Sequence, residues 1–296
     1  MVVESVSAVA TSTTVNLTIV KPVGLAVGDL MVATISFYSA GNTTNLLSIQ
    51  TRSGWTQVVN RKPDTQLGHN IQYKIAESSD VASSAFSFIA NISGSDGDQL
   101  VGQLIRASGQ NTLNPKGVSS SYSNTGADSA TFAANPTSYT PGADGALVVA
   151  LMSGVWEVGG SFRTVSSPTL TSGATMTEGY DVGATDSSGG AVTSSAYGIQ
   201  TTDAAITAYG ATFTFATDDH HGEIVVFLPP VNQSGTNTLV ETTTTTFTQA
   251  GTCDGIGENT LLETDTTMFA QNGTGTSPTQ RTNEAKPSTT WVNETK

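Results

Sequence analysis

The chain has 296 residues, only 12% of them charged, and a formal net charge of −13. Ser and Thr together make up about 27% of it and Gly supplies 30 residues, whereas the Glu, Lys, Arg and Leu that long amphipathic helices need are scarce. This excludes a helical bundle or coiled coil, and the negative sign excludes the basic patches that displace counterions from nucleic acid or dock on anionic lipid. No stretch approaches the ~20 apolar residues of a membrane span. Cys253 is the single cysteine, so no internal disulfide is available. The opening MVVESVSAVATS lacks the basic and apolar regions of a secretion signal, and the expectation is a protein made in a cytoplasm.

In chain order, the first signal is GDLMVATISF (28–37), an apolar run entered through the turn PVGLAVGD. A polar-alternating strand with a turn follows, NIQYKIAESSD (70–80), then the Phe-x-Phe strand SAFSFIA (84–90) and the apolar run QLVGQLIRA (99–107). The same four signals then recur in the same order. GALVVALMSG (145–154) is entered through TPGADG, and SAYGIQTTDAA (195–205), GATFTFA (210–216) and EIVVFLPP (223–230) come after it. The offset is about 117 to 127 residues, which marks an internal duplication.

Val, Ile, Thr, Phe and Tyr in short runs broken by Gly, Ser, Asn and Asp read as strands, about five per copy. Phe86 with Phe88, and Phe213 with Phe215, alternate at period two and point into a core. The two continuous apolar runs read as central strands covered on both faces. The expected fold is all-β: two duplicated β-sandwich, jelly-roll-like halves, at 1–110 and 111–232, standing as separate modules or fused into one body. The segment between them, SGQNTLNPKGVSSSYSNTGADSATFAANPTSY, reads as a polar linker.

After Pro229-Pro230 the character changes, and 233–296 reads as an extended C-terminal segment. Residues 236–296 are about one-third Thr, too poor in large apolar residues to bury a core. The segment is nevertheless repetitive: TLVETTTTTFTQAG (238–251) and TLLETDTTMFAQNG (260–273) match at 9 of 14 positions. TNEAK (282–286) and VNETK (292–296) repeat at its end. Phe247, Phe269 and Trp291 then read as anchors of an arm that orders on a partner; the alternative is a disordered tail.

Little in the chain points to chemistry. ATDDHHGE holds Asp218, Asp219, His220, His221 and Glu223, all metal-ligand types, but consecutive residues of a strand face opposite ways, so His220 and His221 do not converge. The expectation there is a polar hairpin tip, with a metal site as the alternative. Asp96-Gly97-Asp98 reads as an ordinary turn, with weak Ca²⁺ binding as its alternative. Ser153 lies outside any G-x-S-x-G elbow, and no Gly-rich phosphate loop is present. With three histidines, of which His69 is the third, and sparse charge, neither an enzyme nor a cofactor is expected. Trp55 in RSGWTQVV and Trp156 in SGVWEVGG read as packed core rings, with glycan stacking as the alternative.

The order P-x-G-x-x-x-GDLMVA, GWT, QYKIAESSD and a Phe-x-Phe strand resembles β-rich virion proteins of tailed bacteriophages. PGADGALVVALM with EIVVFLPP is similar to the companion half that follows in such proteins, and NEAKPSTTWVNETK resembles their terminal repeats. The resemblance implies a non-enzymatic structural part assembled in the host cytoplasm and carried on the virion. Its partners would be the major capsid protein or tail subunits and further copies of itself, with no nucleic acid or membrane contact. The alternative within the same family is a tail-tip receptor- or carbohydrate-binding adhesin.

Overall fold

In the computed structural model, the described residues are 1–230 apart from 40–45, 65, 93–97, 125–128, 135–137, 143, 157–163, 172–173 and 187–188. The expected anchors Phe247, Phe269 and Trp291, and the Asp96-Gly97 turn, lie outside them.

The fold of this body is all-β. Its first half runs β1 (Val2–Val6), β2 (Ala10–Ser12), β3 (Asn16–Val20), β4 (Leu30–Ser39), β5 (Leu46–Ile49), β6 (Thr56–Arg61), β7 (Leu67–Ile75), the short helix α1 (Ser78–Ala82), β8 (Ala85–Ile92) and β9 (Asp98–Ser108). The second half runs β10 (Lys116–Asn124), β11 (Ser129–Ala134), β12 (Ala146–Trp156), β13 (Val165–Leu170), β14 (Thr177–Asp186), β15 (Gly189–Gln200), β16 (Tyr209–Thr217) and β17 (Asp219–Phe227).

The duplication is visible strand for strand. The first half forms a large sheet in the order β1-β9-β4-β7-β6, with β2 also pairing β9, and a small sheet β3-β8-β5. The second forms β10-β17-β12-β15-β14 and β11-β16-β13, the same orders with every strand replaced by its repeat. Each pair of repeated sequence signals occupies equivalent strands: β4 and β12, β7 and β15, β8 and β16, β9 and β17. The turns into β4 and β12 match as well, because Gly28 (φ 93°) and Gly145 (φ 87°) both take the left-handed backbone that disfavours a Cβ.

Each half thus has eight equivalent strands where the sequence pattern suggests about five. The additional ones are short or polar. Segment 116–134, expected as linker, supplies β10 and β11: the Ser-rich β10 pairs along β17 at the edge of a large sheet. An edge strand with one wet face keeps its polar side chains in water, so it carries no apolar signature.

The body has four layers. Leu17, Ile19, Met31, Ile35, Phe37, Phe86 and Phe88 fill the space between the first half's large and small sheets. Phe132, Val148, Met152, Trp156, Phe213 and Ile224 do so in the second half. The two large sheets also pack against each other: Leu30, Val32, Val101 and Ile105 share one cluster with Leu147, Val149, Val225 and Phe227. The halves are therefore fused. Tyr73 and Phe227 meet edge-to-face across this layer with centroids 5.4 Å apart, and the Met1 amino group donates to Gly145 O at 2.7 Å.

Fusion explains the continuous apolar runs. Along β12, Ala146, Val148, Ala150, Met152 and Trp156 face their own small sheet, while Leu147, Val149, Leu151 and Val155 face the other half. Among the described residues no helix is long and apolar enough to cross a membrane.

Candidate functional site

The layer between the two large sheets is not wholly apolar. Strand β17 places Asp219, His221 and Glu223 on this inner face by period two, and His220 on the opposite face. His220 stacks on Phe213 at a 5.0 Å centroid distance, and its Nε2 lies 2.9 Å from Ser129 O. As the alternation requires, the two adjacent imidazoles diverge. The polar hairpin tip expected for ATDDHHGE is corrected, however: His220, His221 and Glu223 are all buried, because β17 is covered on one face by its own small sheet and on the other by the first half.

His221 is paired in register with Ser123 on β10 and Ser153 on β12. Its Nδ1 lies 3.1 Å from Ser123 Oγ, while its Nε2 is buried without a hydrogen-bond partner. Burial lowers its pKa, and the nearby carboxylates of Asp64 and Asp219 oppose that shift. Glu223 accepts a hydrogen bond from Ser121, and its Oε1 lies 3.6 Å from Arg61 Nε of the other half. Burial pushes Glu223 up to about 7, with Ser121 and Arg61 pulling it back.

The first half answers with its own polar row, since Ser36 of β4 pairs with His69 of β7, and His69 with Arg61 of β6. His69 is fully buried and neither ring nitrogen has a partner. Burial, with the charges of His221 and Arg61 adding to it, drives its pKa to about 3, so the ring is neutral. Deeper in the layer, Thr193 of β15 and Tyr180 of β14 both reach Ser36.

At the rim, Asp64 in the turn between β6 and β7 faces Asp219 and His221. Each of the three offers one ligand atom, and these atoms all lie within 4.8 Å of one another. Asp64 also accepts from Gln66 N at 3.0 Å. The convergent set therefore joins Asp219 and His221 with a carboxylate 155 and 157 residues away in sequence. Nothing local marks Asp64, Arg61 or His69; only the pairing of the halves brings them to β17.

The remaining candidates lie outside this convergent set. Ser153 is buried in this layer and its Oγ has no hydrogen-bond partner. Trp55 packs edge-on against Phe86 and Phe88, with centroids 5.8 and 5.4 Å away, and is 6% exposed. Trp156 is 1% exposed within the second half's core. Both indoles are packing residues, and neither offers a face for a sugar ring.

No protein-family profile, curated protein or solved structure matches this chain.

Proposed function

We propose that the chain is a non-enzymatic structural component of a tailed-phage virion, an exposed accessory protein that docks on the head or tail surface through its C-terminal arm. The observation that carries this reading is the fusion of two repeated sandwiches through a shared buried layer. Such a body has its central strands covered on both faces, which suits a rigid surface element better than a catalyst. The phage-like order of the repeated signals and the Thr-rich repeats of 233–296 support the assignment. The acidic charge suits a protein that shares a particle with packaged DNA without binding it.

The test is quantitative mass spectrometry on purified particles of the encoding phage, with full-length protein and with a chain lacking 236–296. The expected result is a fixed copy number per capsid or tail subunit for the full chain. The truncated protein should stay folded and soluble but be missing from particles. Absence of the full-length chain from particles overturns the virion assignment, and normal incorporation of the truncated chain overturns the anchoring role of Phe247, Phe269 and Trp291. The adhesin alternative would have to use residues other than Trp55 and Trp156.

A further inference from the structure

We propose that Asp64, Asp219 and His221 form a binding site for a divalent transition-metal cation, Zn²⁺ foremost, that clasps the two halves of the body together. The three residues offer ligand atoms that all lie within 4.8 Å of one another, and they come from opposite sides of the inter-half layer. A tetrahedral cation with bonds of about 2.0–2.2 Å holds its donors roughly 3.4 Å apart. Binding would draw the three donors together by rotation of their side chains.

The second observation is independent of the acidic pair. His221 is fully buried, yet its Nε2 has no hydrogen-bond partner, while Nδ1 is 3.1 Å from Ser123 Oγ. An imidazole that donates from Nδ1 to a neighbouring hydroxyl keeps its lone pair on Nε2, which is the tautomer and orientation of metal-ligating histidines. Without a ligand this nitrogen is an orphaned buried acceptor, an arrangement that costs stability. A cation supplies the missing partner.

The donor chemistry selects the metal. One imidazole and two carboxylates, with water completing the shell, match Zn²⁺ and its first-row neighbours. Ca²⁺ and Mg²⁺ favour all-oxygen sets with six or more ligands, so an imidazole discriminates against them. Two carboxylates also neutralise the two positive charges. Arg61 Nε lies 3.6 Å from Glu223 Oε1 in the same layer. The site exists only when the halves are packed, so bound metal stabilises the fused body and has no counterpart in the unfolded chain.

The experiment uses the full chain, stripped with chelator and then titrated with Zn²⁺, Mn²⁺, Ca²⁺ and Mg²⁺ by calorimetry and thermal unfolding. The expected result is one Zn²⁺ per chain and a midpoint raised by about 5–10 °C at 100-fold excess over Kd. Asp64→Asn and Asp219→Asn, both at part-exposed positions, should each weaken binding at least 10-fold while the far-ultraviolet spectrum stays unchanged. Visible absorption of Co²⁺-loaded protein gives a readout that does not depend on stability. Tetrahedral bands should appear in the parent and change in His221→Gln. No Zn²⁺ binding below 1 mM, undiminished binding in the Asp64 and Asp219 variants, or an equal response to Ca²⁺ and Mg²⁺ would overturn the proposal.

Discussion

Thr193 in the second half donates a hydrogen bond of 2.9 Å to Ser36 Oγ in the first, and Ser36 in turn lies 3.0 Å from the hydroxyl of Tyr180. All three side chains are buried in the layer between the large sheets. An apolar interface alone tolerates sliding of one sheet over another, because dispersion and hydrophobic contact are non-directional. A hydroxyl chain with fixed partners does not, since any slip leaves buried polar atoms unpaired. Ser36, Thr193 and Tyr180 therefore set the register at which the two halves meet.

Ser36→Ala removes the shared partner and orphans groups on the other half, so it should cost about 1–3 kcal/mol in denaturant unfolding. Thr193→Val leaves Ser36 its contact with Tyr180 and should cost about 1 kcal/mol. Combining the two should give less than the sum, because both delete the same bond. Strict additivity in that cycle would show that the 2.9 Å bond contributes no coupling between halves.

Trp55→Ala tests packing against ligand stacking. The ring sits among Phe86 and Phe88 with the Arg52 guanidinium 5.5 Å from the Phe86 centroid, so truncation opens a cavity in the outer core of the first half. The expected loss is about 3–5 kcal/mol, seen as a lowered urea midpoint with an unchanged slope. A variant with parental stability would mean that the ring does not hold this core.

Repetition is what made most of the fold legible. The paired signals at 28–37 and 145–154 report strands buried on both faces, and their recurrence gives the duplication without any structure. Phe86 and Phe88 are found in the core where period two puts them. Polar edge strands such as β10 carry no such signal: most of its residues are small and polar, and every one is at least partly exposed. The site was only half legible. Period two separates His220 from His221 and aligns Asp219 with His221, but the opposing Asp64 is visible only once one half is folded against the other.

That dependence gives a prediction for the isolated first half. Residues 1–110 on their own would expose Leu30, Val32, Val101, Ile105 and Ala107 as a continuous apolar face, together with the buried His69. Contiguous patches of this kind drive association in water. A 1–110 fragment should be insoluble or self-associated, while 1–230 should be monodisperse and unfold in one transition, as size-exclusion chromatography and calorimetry would reveal. A soluble, monomeric 1–110 would show that the inter-half layer is dispensable.

Asp181 of β14, like Glu223 in the inter-half layer, makes stability depend on pH. Its Oδ2 accepts from Val165 N at 2.9 Å, while Oδ1 is buried without a partner. Burial pushes the carboxyl up to about 7, with the Val165 hydrogen bond pulling it down and Glu178 adding to the rise. A raised carboxyl pKa means that the folded state holds the proton more tightly than the unfolded chain. Between about pH 4 and pH 7 the native form therefore binds more protons, and its stability falls as pH rises through that window. Asp181→Asn keeps an oxygen for Val165 and removes the titration. The variant should match the parent near pH 4 and exceed it by about 1 kcal/mol at pH 8, a figure held down by the carboxyl's partial contact with water. Parallel stability profiles for the two proteins from pH 4 to 8 would mean that Asp181 is charged in the fold at no cost.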